Sequence, residues 1–207
     1  MERKDATDCF GHKMLTFAFN DEEFAEAKRI AKKELEKVKR MNLYYRHNGL
    51  NPKDSQVVGV LGEWFVRDLL WTHEIKFEYN GVAHGRDFEH DFIIGSSQFG
   101  CKATLRDHPD ALFNVKGHRE KLWLYPAKRD PEVKKKRRTG YPEMLFCTGA
   151  SFKARIGWII GILDSFDIYH SPMKKVGNEM AHLIDHYKID NIDYNFMKWL
   201  ADVSRET

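Results

Sequence analysis

The sequence predicts an α/β domain in which a mixed β-sheet is flanked by helices. Three stretches carry that expectation. Phe92-Ile93-Ile94 is an apolar run with β-branched residues, Gly95-Ser96-Ser97-Gln98 has turn chemistry, and Phe99 to Leu105 resumes an extended pattern, so a hairpin is expected. Asn20-Asp21-Glu22-Glu23 is a helix start, and Phe24, Ala27, Ile30, Ala31, Leu35 and Val38 recur behind it at helical spacing. Glu143 to Ser151 and Arg155 to Leu163 read as a second strand pair, turning near Lys153-Ala154. A length of 207 residues and 42% hydrophobic content suit one domain with a substantial core. Its expected parts are a helical region at 1–55, a core at 56–165 and a helical extension at 166–207.

Composition narrows the function classes. A net charge of +3 does not announce a nucleic-acid protein, so any basic surface must be local. Cys9, Cys101 and Cys147 are far apart and form no C-x-x-C, which argues against a disulfide framework and against a cysteine zinc site. No apolar run reaches the length of a membrane span, and Glu2-Arg3-Lys4-Asp5 opens the chain without a leader-like stretch. A cytoplasmic protein with reduced thiols and no membrane partner is expected.

In chain order, Met14 to Phe19 alternates enough for a short strand. The helix from Asn20 should run to about Met41, with Lys28, Lys32, Lys33, Lys37 and Arg40 on a solvated face. Residues 42–55 mix basic, aromatic and turn residues and read as a loop. Gly59 to Leu70 reads as a helix entered through its glycines, with Glu63 and Arg67 one turn apart; a plain surface pair is one reading of these two. Phe77-Glu78-Tyr79 suggests a strand leading through Asn80-Gly81 to the hairpin. Phe113-Asn114-Val115 and Leu122 to Tyr125 are further strand candidates.

Arg129 to Pro142 is the most basic stretch, held in a loop by its prolines and glycine. Its Lys134, Lys135, Lys136, Arg137 and Arg138 are the natural candidates for phosphate contacts without base specificity. After Pro172, Val176, Met180, Leu183, Ile184 and Tyr187 have helical spacing, and Ile192, Phe196, Trp199 and Leu200 suggest a second helix. These helices would pack on the sheet or form a homodimer contact. His182 and His186 lie four apart, but no Glu follows His182 in the H-E-x-x-H manner, so zinc is not assigned.

Chemistry concentrates on the hairpin. Alternation puts Gln98, Gly100, Lys102 and Thr104 on one face of the second strand, and Phe99, Cys101, Ala103 and Leu105 on the other. Asp91 at the start of the first strand can meet Lys102 at one end of the sheet, and the preceding helix can carry Glu63 over the same hairpin. A satisfied Asp91–Lys102 ion pair is the plain structural reading.

Gly59-x-x-Gly62-Glu63 on a helix, then Asp91-Phe92 opening a strand, then Lys102 followed by Thr104 on a second strand, with the late strand pair beyond, resembles the PD-(D/E)XK nuclease superfamily, in particular its small phage and prokaryotic members. The resemblance covers roughly residues 20–165. It implies a restriction-endonuclease-like core and metal-dependent hydrolysis of DNA phosphodiester bonds, in phage replication, recombination or host–phage conflict. It implies Mg²⁺ or Mn²⁺ held by Asp91, by the Cys101 backbone carbonyl and by Glu63 through water, with Lys102 positioning the attacking water and stabilising negative charge.

Where the family places Asp or Glu two residues before the lysine, this chain has Gly100. Three explanations stay open. Glu89, Gln98 or Glu63 compensates, Glu89 being the best local substitute if it shares a strand face with Asp91; or the chain is a DNA-binding descendant without catalysis; or Gly100 is an inactivating replacement. The competing function is a catalytically inactive nucleic-acid-binding or interaction module on the same fold.

Overall fold

The computed structural model describes residues 2–7, 11, 13–40, 52–81, 90–105, 121–124, 142–176 and 179–205. Strands β1 (Glu2–Thr7) and β2 (Lys13–Ala18) lead into helices α1 (Asp21–Arg40) and α2 (Pro52–Thr72). Strands β3 (Glu78–Tyr79), β4 (Phe92–Ile94), β5 (Ser97–Leu105) and β6 (Lys121–Leu124) follow, then β7 (Met144–Ser151) and β8 (Ile156–Asp164). The chain closes with α3 (Ser165–Tyr169), β9 (Met173–Val176), β10 (Glu179–Asp185), a 3-10 turn at His186–Lys188 and α4 (Tyr194–Val203).

Seven strands form one sheet in the order β1-β2-β8-β7-β5-β4-β3. Only β5 and β7 run parallel within it, so the sheet is mixed, as expected. A second, antiparallel sheet has the order β6-β10-β9. Strands β7 and β8 occupy the middle of the large sheet and are buried almost without interruption, because both faces are covered. One face packs under α1 and α2 through Phe17, Leu61, Phe65, Leu69, Phe92 and Phe146, with Phe17 and Phe65 stacked at 5.2 Å. The other holds a smaller cluster around Trp158, Ile160, Leu163, Ile168 and Ile184.

The first helix begins where its capping residues predict. Asn20 Oδ1 accepts from the Glu23 N–H at 2.8 Å, and the Glu23 carboxylate accepts from the Asn20 N–H at 2.9 Å, a reciprocal capping box. The second helix differs from expectation. It starts at Pro52, so Gly59 and Gly62 lie inside it rather than at its entrance. Proline suits a helix start because its missing N–H would have no partner there anyway. Gly62 serves the packing: a Cβ there would collide with Thr148 Oγ1 and stand 2.8 Å from Ala103 Cβ, so glycine lets α2 lie directly on β5 and β7.

The hairpin turn is tighter than the four residues expected. Ile94 pairs with Ser97, leaving Gly95-Ser96 as a two-residue connection in which Gly95 has a φ of +60°. At the N-terminus the expected helical region also contains β1 and β2, which extend the sheet edge; of these only the Met14–Phe19 stretch is legible as a strand.

The C-terminal extension departs most. Val176, Met180, Leu183, Ile184 and Tyr187 do not form a helix; their segment is β9, β10 and the 3-10 turn. Ala181, His182, Leu183 and Ile184 are buried in succession, so neither helical nor strand periodicity is expressed, and pairing with β6 and β9 decides the conformation. His182 and His186 therefore share no helix face. His182 sits in β10 with Nδ1 3.4 Å from the Ser171 carbonyl oxygen. The second expected helix is present as α4, capped by Asp193 accepting from the Phe196 N–H at 2.9 Å.

Among the described residues no helix is long and apolar enough to cross a membrane. Of the expected loop over 42–55, residues 52–55 are helical in α2 and 42–51 lie outside the described residues, as do Glu89, Phe113-Asn114-Val115 and the basic run Lys134, Lys135, Lys136, Arg137 and Arg138.

Candidate active site

Strand β4 is short, and that shortness creates the site. It pairs with β5 only from Phe92↔Phe99 to Ile94↔Ser97, so beyond Phe99 the β4-facing edge of β5 has no ladder partner from that strand. Asp91 takes over. Its N–H donates to the Phe99 carbonyl at 2.9 Å, its own carbonyl accepts from the Asn80 N–H at 2.8 Å, and its Oδ2 accepts from the Cys101 N–H at 2.6 Å. A strand residue directs its N–H and C=O to the same side, so the Cys101 carbonyl also leaves β5 on the edge that Asp91 covers.

Burial raises the Asp91 carboxyl to about 6, against the lowering effects of the Cys101 N–H and the Lys102 ammonium. Lys102 follows on β5 with an exposed side chain. Crowding by protein atoms lowers its pKa from the ordinary lysine value, opposed by Cys101 and by Asp91. Contact with solvent at its exposed side chain limits that effect. Among the described residues, Asp91 and Lys102 influence each other without a direct ion pair.

Glu63 enters from α2 and is only 8% exposed, which removes the reading of a plain surface pair with Arg67. The Tyr79 hydroxyl donates to Glu63 Oε2. Arg67 instead lies over two rings, 4.5 Å from the centroid of Trp71 and 4.9 Å from that of Tyr79. Burial first, then the charge and hydrogen bond of Glu63, push the Tyr79 hydroxyl well above its ordinary range, and Asp91 adds to this. The Cys101 thiol is likewise raised, chiefly by burial and then by Asp91, with Glu63 contributing. Both carboxylates thus act on the same two groups, which places them around one locus.

Gly100 is buried, and its neighbours have closed over it. A Cβ there would stand 2.6 Å from Leu145 Cδ2 and 2.7 Å from Pro142 Cγ. Leu145 can swing aside, but the Pro142 ring is a firmer obstacle, so the space for a carboxylate at this position is taken by apolar groups. Gln98 is exposed beside the turn and Thr104 is half-buried; neither hydrogen-bonds to Glu63, Asp91 or Lys102 among the described residues. Thr148 on β7 was not anticipated: its hydroxyl lies 3.5 Å from Cys101 Sγ and 3.4 Å from the Lys102 carbonyl oxygen, linking β7 to the site. Tyr79 was not anticipated either, since no local spacing signals a contact with a residue sixteen positions earlier.

The donor chemistry suits a hard cation in kind. Asp91, Glu63 and the Cys101 carbonyl offer oxygens, and a half-buried carboxylate raised to about 6 is short of positive charge. In number the set is lean: among the described residues no three His, Cys, Asp or Glu side chains gather as a metal cluster. Mg²⁺ is commonly held by one or two carboxylates, with water and substrate phosphate completing its shell, so these residues fit a weakly held ion. A cleft of about 710 Å³ opens elsewhere, between β2, the end of α2 and α4, and includes none of Glu63, Asp91 or Lys102. Compared with protein-family models, with curated proteins and with solved structures, the chain has no match.

Proposed function

We propose that this chain is a DNA nuclease of the PD-(D/E)XK type, with a restriction-endonuclease-like core, dependent on Mg²⁺ or Mn²⁺ and phage-related. The observation that carries this reading is the meeting of Asp91 and Glu63 around Cys101 at the edge of β5 beyond the end of β4, with Lys102 next along the strand and within electrostatic reach of Asp91. The order of helix α2, hairpin β4–β5 and parallel strand β7 supports it as well.

Phosphodiester hydrolysis needs a positioned water, compensation for charge on the pentacoordinate transition state and help for the leaving oxygen. A bound divalent ion would supply Lewis acidity and an activated water. Asp91 and the Cys101 carbonyl would hold it directly, with Glu63 as the second carboxylate. Lys102, exposed and without a direct carboxylate partner among the described residues, orients water and meets developing negative charge. Lys134, Lys135, Lys136, Arg137 and Arg138 would hold the DNA backbone nonspecifically.

A second reading has its own support. Leu145 and Pro142 fill the space of the missing carboxylate, as they would in a DNA-binding module that has dropped catalysis. Incubating single- and double-stranded DNA with the protein in Mg²⁺, Mn²⁺ or EDTA separates the two. The nuclease cleaves with metal and stops in EDTA. The binding module retards DNA equally in EDTA, loses affinity steeply with salt and cleaves nothing.

A further inference from the structure

Residues Tyr79 and Asn80, adjacent in the chain, each hold one of the two acidic residues of the site. The Tyr79 hydroxyl donates to the Glu63 carboxylate, and the Asn80 N–H donates to the Asp91 backbone carbonyl at 2.8 Å. One dipeptide at the end of β3 therefore ties α2 to the start of β4. The tyrosine itself is immobilised. Its ring packs 5.4 Å from the Phe92 ring, and the Arg67 guanidinium lies over its face. Gly81 completes the clamp: a Cβ there would collide with Glu63 Oε2 and with the edge of the Tyr79 ring, so the backbone approaches both groups more closely than any side-chain-bearing residue allows.

We infer that Tyr79 is a positioning residue for the cation site, its hydroxyl fixing the Glu63 carboxylate in the orientation in which it serves, with Asp91, as a metal ligand. This rests on the metal-dependent reading above. Its chemical basis is general: a ligand carboxylate is aimed by the donor bound to it, and with no carboxylate at position 100 the orientation of Glu63 matters more than it would in a fuller ligand set. The ring and the hydroxyl have separable duties. Phenylalanine at 79 keeps the packing against Phe92 and Arg67 while removing the hydroxyl that donates to Glu63.

Mn²⁺ alone is a suitable probe, because free Mn²⁺ gives an electron paramagnetic resonance signal that binding removes, and no turnover is required. The dissociation constant is measured for the full chain, Tyr79→Phe, Glu63→Gln and the double variant. The expected result is that Tyr79→Phe weakens Mn²⁺ by about 10- to 100-fold, and that the double variant binds no more weakly than Glu63→Gln alone. Unchanged affinity in Tyr79→Phe overturns the proposal, as does a loss in the double variant equal to the product of the two single losses; either marks Tyr79 as a packing residue only. Failure of the parent reading looks different. If the unaltered chain binds no Mn²⁺ at millimolar concentration, the metal-dependent reading and the role of Tyr79 fall together. If it binds Mn²⁺ but cleaves no DNA, only the nuclease falls, and the Tyr79 role is decided by the same titration.

Discussion

Asp91→Asn should separate stability from function at one atom. The carboxyl of Asp91 is raised from its ordinary 3.8 to about 6, with burial as the leading cause. A carboxyl raised in the folded state binds its proton more tightly there than in the unfolded chain, so stability is fullest below about pH 3.8 and is lost as pH rises through about 6. Taken at face value, the difference corresponds to about 3 kcal/mol of destabilisation at pH 8. Asp91 keeps some solvent contact, which brings a realistic figure to about 2 kcal/mol. Asparagine keeps an acceptor for the Cys101 N–H, and the help that bond gives the carboxylate is already contained in the shift. The net expectation is a variant about 2 kcal/mol more stable than the parent at pH 8, or about 4–8 °C in Tm for a chain of this size. At pH 5 the advantage should fall to about half of that. Thermal unfolding in EDTA at both pH values tests this. A variant less stable by the same margin at pH 5 and pH 8 would refute the account, because the carboxylate would then be a net structural support and not a charge waiting for a cation.

Three further outcomes follow from the packing and the site. Gly62→Ala should destabilise by about 1–3 kcal/mol despite the better helix propensity of alanine, since the new methyl group meets Thr148 Oγ1 and Ala103; Thr148→Ala in the same chain should recover part of the loss in chemical denaturation. Asp193→Ala removes the acceptor for the Phe196 N–H at the start of α4 and should cost about 1 kcal/mol by the same measurement. Gly100→Asp should lower Tm in EDTA, because Pro142 and Leu145 must yield; a variant as stable as the parent would show that the space is free after all.

What was legible in the sequence was what local chemistry dictates. The hairpin showed because β-branched residues, a turn and an alternating strand coincide between Phe92 and Leu105, and α1 showed because Asn20 and Glu23 cap it reciprocally. Asp91, Lys102 and Glu63 were singled out from their order along the chain; the fold brings Asp91 and Glu63 together around Cys101 and leaves Lys102 on the opposite face of β5. Long-range pairing was not legible. The segment from Val176 to Tyr187 has helical spacing yet forms strands, because β6, some sixty residues earlier, supplies the partner for β10. The start of α2 at Pro52 was hidden by two glycines that read as a helix entrance but serve as close-approach points inside it. Tyr79 looked like one aromatic among several, because its role depends on β3 folding back beside α2. The filling of the Gly100 position depends on Pro142 and Leu145, more than forty residues on, and no spacing rule near the hairpin points to them.

The most direct test of the central claim is single-turnover cleavage of DNA in Mn²⁺ by the parent chain and by Lys102→Ala, prepared together and matched for DNA binding. The account predicts cleavage by the parent and a fall of about 10²- to 10⁴-fold in the variant, the range expected when a group that positions water and meets developing charge is removed. Equal rates in the two proteins would place any activity elsewhere. Absence of cleavage in both, with DNA still bound, would contradict the nuclease and leave the binding module.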